Sequence, residues 1–143
     1  MESKPLQILL IEDSPGDVEL VRHGLRKSKI LNTLLVATDG AEAMEMLMGE
    51  HESGVECQPD LVLLDINLPK MNGHEVLDAI RSNPKTSSIP VIVLTTSSQE
   101  GDVLRAYNQH ANAYIQKPLN PTDFIEVVQS IDNFWLKVVR LPG

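Results

Sequence analysis

Cysteine is almost missing: Cys57 stands alone in 143 residues. No disulfide can form within the chain, and a reducing, cytoplasmic setting is expected. Aromatics are scarce as well, with one Trp, two Tyr and two Phe. Apolar runs stop at about six residues, far short of the ~20 that span a bilayer. The amino terminus lacks the basic-then-apolar pattern of a secretory signal. Neither a membrane partner nor an exported precursor is expected. Positive charge is also short, twelve Lys and Arg against twenty Asp and Glu, for a net charge of -8. That balance opposes nonspecific nucleic-acid binding, and the densest basic group is only Arg26, Lys27 and Lys29. Gly16 and Gly24 form no phosphate-cradling loop. His23, His51, His74 and His110 are scattered without metal-ligand spacing, which reads as surface or packing. Met44, Met46, Met48 and Met71 read as core filling.

What is present is an alternation of short β-rich runs with stretches of helical period. Strands are predicted at Leu6–Ile11, Thr33–Ala37, Leu61–Leu64, Pro90–Thr95 and Ala113–Gln116. Helices are predicted over about 15–27, 39–48, 73–81 and 98–109, and from Pro121 toward Val139, with a polar loop at 51–59. Ser14 before Pro15 supplies an N-cap followed by a first-turn proline. Strands made almost wholly of Ile, Leu and Val are buried on both faces, so the chain should be an α/β domain with a parallel sheet between helical layers. Right-handed crossovers favour an open doubly wound sheet. Chemistry in such sheets collects at the carboxyl ends of the strands.

Those ends are informative. Glu12 and Asp13 follow the first strand and Asp65 the third, Thr95 closes the fourth, and Lys117 with Pro118 follows the fifth. Singly, each has an ordinary explanation: a helix cap, β-propensity, a solvated lysine. Together they do not. Two carboxylates ~4 Å apart repel by about 4 kcal/mol at an effective dielectric of 20. A protein gathering three must bind a cation, hold a proton or lose stability. Oxygen ligands without Cys or His suit magnesium.

This constellation resembles the receiver domain of bacterial two-component response regulators. Asp65-Ile-Asn-Leu-Pro69-Lys-Met-Asn-Gly73 is similar to the family's acceptor segment, with proline four and glycine eight residues after the aspartate. Thr95 lies thirty residues after Asp65, Lys117 twenty-two after Thr95, and Tyr114 three before the lysine. The resemblance covers residues 6 to 133 and implies a flavodoxin-like five-stranded sheet in the order 2-1-3-4-5, helices on both faces. It also implies roles. Asp65 would accept a phosphoryl group from a sensor histidine kinase. Mg2+ would sit on Asp13, Asp65 and the Asn67 carbonyl, with Glu12 ligating through water. Thr95 and Lys117 would bind phosphoryl oxygens, Thr95 and Tyr114 would relay the switch, and Lys117–Pro118 would be a cis peptide. A carboxylate nucleophile can form such an acyl phosphate, and a cation and a lysine offset the charge in transit.

There are departures from the family pattern. The loop at 51–59 lengthens the segment before Asp65, Thr96 is bulkier than the usual Ala or Gly, and residues 134–143 continue past the domain. Extended receivers of this kind resemble the stand-alone regulators of phytochrome-type histidine kinases in photosynthetic bacteria. No output domain is expected in so short a tail, so the product of the switch would be a protein contact, with a downstream partner or a phosphotransfer protein. Phe134, Trp135, Leu136 and Val139, with Tyr114, are the expected surface of a homodimer. Two other classes fit the sequence less well. An aspartate-nucleophile phosphatase needs an acid two residues past the nucleophile, where Asn67 stands. A flavin-binding module would share only the sheet order.

Overall fold

Five strands form one parallel sheet in the order β2-β1-β3-β4-β5. The structure, a computed structural model, describes residues 5–28, 31–51, 54, 57–97 and 99–138, with side chains as far as residue 131. The strands are β1 (Leu6–Ile11), β2 (Asn32–Ala37), β3 (Leu61–Leu64), β4 (Val91–Thr95) and β5 (Ala113–Gln116). The helices between and after them are α1 (Pro15–Arg26), α2 (Gly40–Met48), α3 (Gly73–Ser82), α4 (Glu100–Asn108) and α5 (Pro121–Val138). The expected sheet order is therefore the observed one.

Alternation along each strand builds two cores. Ile8 and Leu10 of β1 pack with Val21 and Leu25 of α1 and with Phe124, Val128 and Ile131 of α5. Leu9 and Ile11 face the other way, toward Ala43 and Leu47 of α2 and Val76, Leu77 and Ile80 of α3. The two sets never mix, because neighbouring side chains on a strand point to opposite faces. Cys57 and the four methionines belong to the second core or lie against it. Gly24 lets α1 and α5 close up: a Cβ there would lie 2.8 Å from the Val128 side chain.

Helix starts follow the local chemistry. The Ser14 hydroxyl accepts from the Asp17 N–H at 3.3 Å, the Asp39 carboxylate from Glu42 N–H at 2.8 Å, and the Asn72 amide oxygen from Glu75 N–H at 3.0 Å. Each satisfies an amide that the first turn leaves without a partner. α4 begins at Glu100, later than Ser98 as predicted, and its cap residue Gln99 makes no side-chain bond. The neighbouring Ser97 hydroxyl is already committed to Asp102 at 2.5 Å.

Away from the carboxyl ends of the strands, Arg81 ties α3 to the start of β5. Its guanidinium donates to the Ile89 carbonyl at 2.6 Å, the Ser87 carbonyl at 3.1 Å and the His110 carbonyl at 2.9 Å. It also reaches the Asn112 side-chain oxygen at 3.1 Å, which in turn accepts from the Val91 N–H at 2.8 Å. The helix α5 runs through positions 134–136, but the side chains of Phe134, Trp135 and Leu136, and Val139 altogether, lie outside the described residues.

Candidate functional site

The order of the strands reverses beside β1, and the loops after β1 and β3 part there as in other doubly wound sheets. The backbone fixes where those loops begin. Glu12 N–H donates to the Ala37 carbonyl at 2.9 Å, Asp65 N–H to the Ile11 carbonyl at 3.1 Å and Lys117 N–H to the Thr95 carbonyl at 2.7 Å. Each chemical residue therefore sits one step past its strand, on a ladder that is still hydrogen-bonded.

Asp65 is the centre. Its Oδ1 accepts from the Thr95 hydroxyl at 2.6 Å and from the Asn67 N–H at 3.0 Å. Its Oδ2 accepts from the Lys117 ammonium at 3.0 Å. The aspartate is 6% exposed and Thr95 fully buried, so these charge-assisted bonds lie largely out of water, where they are strong. Gly73 holds the acceptor loop against α3. A Cβ at that position would run into the Asp65 carbonyl and come within 2.5 Å of Ile66 Cα.

The Lys117 ammonium also donates to Glu12 and, at 2.8 Å, to Asp17 Oδ2. Burial drives Glu12 up to about 7, aided by the Asp65 charge and opposed by the bond from Lys117. Burial alone would pull Lys117 down, but the bonds to Asp17 and Glu12 and the charge of Asp65 outweigh it and raise the ammonium above its ordinary value. The side of the sheet that holds Lys117 is a compact ionic knot.

Glu12, Asp13 and Asp65 bring carboxylate oxygens within 4.8 Å of one another, Asp13 being the exposed member. Three hard oxygens with no nitrogen or sulfur beside them match a divalent cation of the magnesium–calcium–manganese type. The exposed side of the group leaves room for the waters such a cation keeps. Asn67 is exposed next to this group, its N–H already on Asp65. The site fits a divalent ion.

The remaining expected residues lie around this group, and one expectation is corrected. Tyr114 is half-buried, and its hydroxyl donates to the Ser97 carbonyl at 2.9 Å. That puts the ring against the segment leaving Thr95, and burial raises its phenol. Thr96 is exposed at the rim. Lys117–Pro118 is trans, not cis; no cis peptide occurs among the described residues. The trans form is favoured by about 0.5–1 kcal/mol, and Lys117 is aimed inward by the ladder bond to Thr95 without help from the isomer.

Two residues were missed. Asp17 was read only as part of a helix, yet it reaches Lys117 from the first turn of α1. Its position in the first turn after the Ser14 cap is the signal, since that turn lies at the carboxyl end of β1. His74 was read with the other histidines as surface or packing. It is 4% exposed, and its ring meets Asp102 at 2.9 Å and Gln109 at 3.1 Å. Its place beside Val76, Leu77 and Ile80 on the apolar side of α3 was the available hint.

Comparison with known proteins follows the geometry. Residues 8–129 match the model of the response regulator receiver domain. The response regulator Rcp1 of Synechocystis sp. is 46% identical over 139 residues, covering 97% of this chain and 95% of that protein. The crystal structure of the Mn(2+)-bound form of Rcp1 superposes with a TM-score of 0.92 at 45% identity, covering 97% of this chain and all of that one. That of the phosphorylated cyanobacterial phytochrome response regulator RcpA gives 0.93 at 40% identity, over 98% and 100% of the two chains.

Proposed function

The chain belongs to the family of response regulator receiver domains, and from that premise we propose that it takes a phosphoryl group onto Asp65 from a sensor histidine kinase of the phytochrome type. The observation that carries this reading is the setting of Asp65: a buried carboxylate between the Thr95 hydroxyl and the Lys117 ammonium, at the mouth of an acidic group that fits a divalent ion. The kinase type rests on likeness to RcpA, whose structure is described as that of a phytochrome response regulator.

The chemistry is a transfer between nucleophiles. An Asp65 carboxylate oxygen forms the new bond to phosphorus as the bond to the donor's phosphohistidine nitrogen breaks, and the imidazole leaves with the electron pair. Lys117 and the Thr95 hydroxyl are placed to bind the phosphoryl oxygens, which carry most of the charge in transit. Asp13, Asp65 and the Asn67 carbonyl would hold Mg2+, with Glu12 acting through water, and the ion would supply charge neutralisation. Asn67 offers no acid to protonate a leaving group, so the alternative of a phosphatase acting on phosphate esters has no support.

Once phosphorylated, Asp65 offers oxygens that draw the Thr95 hydroxyl toward them. The space left behind lets the Tyr114 ring turn in, which releases its bond to the Ser97 carbonyl and changes the surface of α4 and β5. Leu104 and Tyr107, 57% and 49% exposed on α4, lie on that surface. It and the expected tail residues Phe134, Trp135, Leu136 and Val139 are the proposed homodimer and downstream-partner face.

The test is labelling by a phosphohistidine kinase or by acetyl phosphate. Label should appear on the unsubstituted chain with Mg2+, vanish in excess chelator and vanish in Asp65→Asn. Undiminished label on the Asn variant refutes the assignment. Light scattering before and after labelling tests the dimer.

A further inference from the structure

We propose that Asp17 is a positioning residue that competes with the phosphoryl group for the Lys117 ammonium and so weakens the hold of the site on that group. The inference rests on the receiver reading above and goes beyond it.

An ammonium has three N–H donors and no more. In Lys117 all three are taken, by Glu12, by Asp17 and by Asp65. A phosphoryl group on Asp65 takes over the donor that Asp65 Oδ2 now holds, and a second phosphoryl oxygen is bound only at the expense of Glu12 or Asp17, which are not equally able to give theirs up. The Glu12 side chain is 2% exposed. It would be left as a buried carboxylate without its cation, a costly state. The Asp17 side chain is 29% exposed. It stands on the first turn of α1, where its backbone is pinned by the Ser14 cap. Its carboxylate can turn into water, where its charge is resolvated. Asp17 is thus the displaceable partner, an occupant of the place that phosphoryl oxygens take.

Two consequences follow. With no phosphoryl bound, Asp17 keeps the ammonium parked and directed, so Lys117 does not drift. With a phosphoryl bound, the displaced carboxylate remains nearby as a negative charge beside another, which shortens the life of the phosphorylated state.

Beryllofluoride, an anionic mimic of a phosphoryl group, reads this directly when its affinity is measured by fluorine NMR at fixed Mg2+. Asp17→Asn keeps an oxygen for Lys117 and removes the charge. Its affinity should rise about tenfold, or ~1.4 kcal/mol, and the acyl phosphate formed from acetyl phosphate should outlive that of the unsubstituted chain. Asp17→Glu should return to the original affinity. Damage to the fold cannot tighten an anion site, so the direction of the change separates competition from a merely structural role. Unchanged or weaker binding in Asp17→Asn, in a chain whose beryllofluoride binding depends on Asp65, overturns this inference and leaves the receiver reading standing. Absence of beryllofluoride binding in the unsubstituted chain with Mg2+ overturns both.

Discussion

His74 Nε2 lies 2.9 Å from Asp102 Oδ1, which joins α3 to α4 by a bond that is nearly sealed from water on the histidine side. The link extends both ways. Gln109 presents its amide oxygen to His74 Nδ1 at 3.1 Å while its own NH2 donates to the His74 carbonyl at 3.0 Å. Asp102 accepts from the Ser97 hydroxyl at 2.5 Å, and the Ser97 carbonyl receives the Tyr114 hydroxyl. The switch tyrosine is therefore tied to α3 through α4.

Breaking this link should cost stability and loosen α4. His74→Ala leaves the Gln109 amide oxygen and one Asp102 carboxylate oxygen without their partner and empties the space of a buried ring. A loss of about 1–3 kcal/mol is expected, measured by urea denaturation. Amide exchange should quicken in α4 before it does in α1.

Acid should act on the same link. The bonds from Ser97 and then His74 hold Asp102 below the ordinary aspartate value. A carboxyl whose folded value is depressed gives stability that is present above its unfolded value, near pH 4, and is lost as pH falls through the folded value. Asp102→Asn should remove that share of the acid limb: the variant is less stable at pH 7, and the gap closes below about pH 4. A constant gap down to pH 2 would refute the assignment.

Cys57 should resist alkylation. Its side chain is buried in the core over α2, and burial pushes the thiol up to about 11. The nucleophile is the thiolate, which is sparse at pH 8 for such a group. Iodoacetamide at pH 8 should label the folded chain far more slowly than the chain in denaturant. Equal rates would show that the core there is open.

Gly73→Ala should harm both fold and site. The added methyl meets the Asp65 carbonyl and Ile66 Cα, backbone that cannot turn aside as a side chain can. A destabilisation of about 1–3 kcal/mol is expected, with slower labelling by acetyl phosphate because the acceptor loop must shift.

Thr95→Ala separates chemistry from signal. Lys117 and the acidic group remain, so labelling of Asp65 should persist. What should be lost is the phosphorylation-dependent change in assembly or in partner binding. A full response in this variant would remove Thr95 from the relay.

Much of the fold could be read from the chain because its signals are local. LQILLI and VIVLT can be little else than strands buried on both faces, and Ser14-Pro15 marks a helix start. The strand-end residues are legible for the same reason: each closes a recognisable strand or lies within two residues of its end. Asp17 and His74 are not, because what gives them meaning is a partner 100 and 28 residues away. The start of α4 is less legible, at Glu100 and not Ser98, because its cap residue Gln99 makes no side-chain bond that would mark the boundary. The isomer of Pro118 was taken from resemblance, and nothing local required it.

The Arg81 clasp makes the two ends of β5 mechanically unequal. At its start the guanidinium grips His110, Asn112 and the β4 approach in several bonds at once. At its finish the strand ends in Lys117, whose contacts can be exchanged one for another. A tug at Lys117 thus works like a hand on a lever whose fulcrum is Arg81. Displacement should be small at Ala113 and its neighbour Tyr114, grow toward Gln116 and be greatest at Lys117 and the rim, so one bond traded at the site is felt there without disturbing the far edge of the sheet.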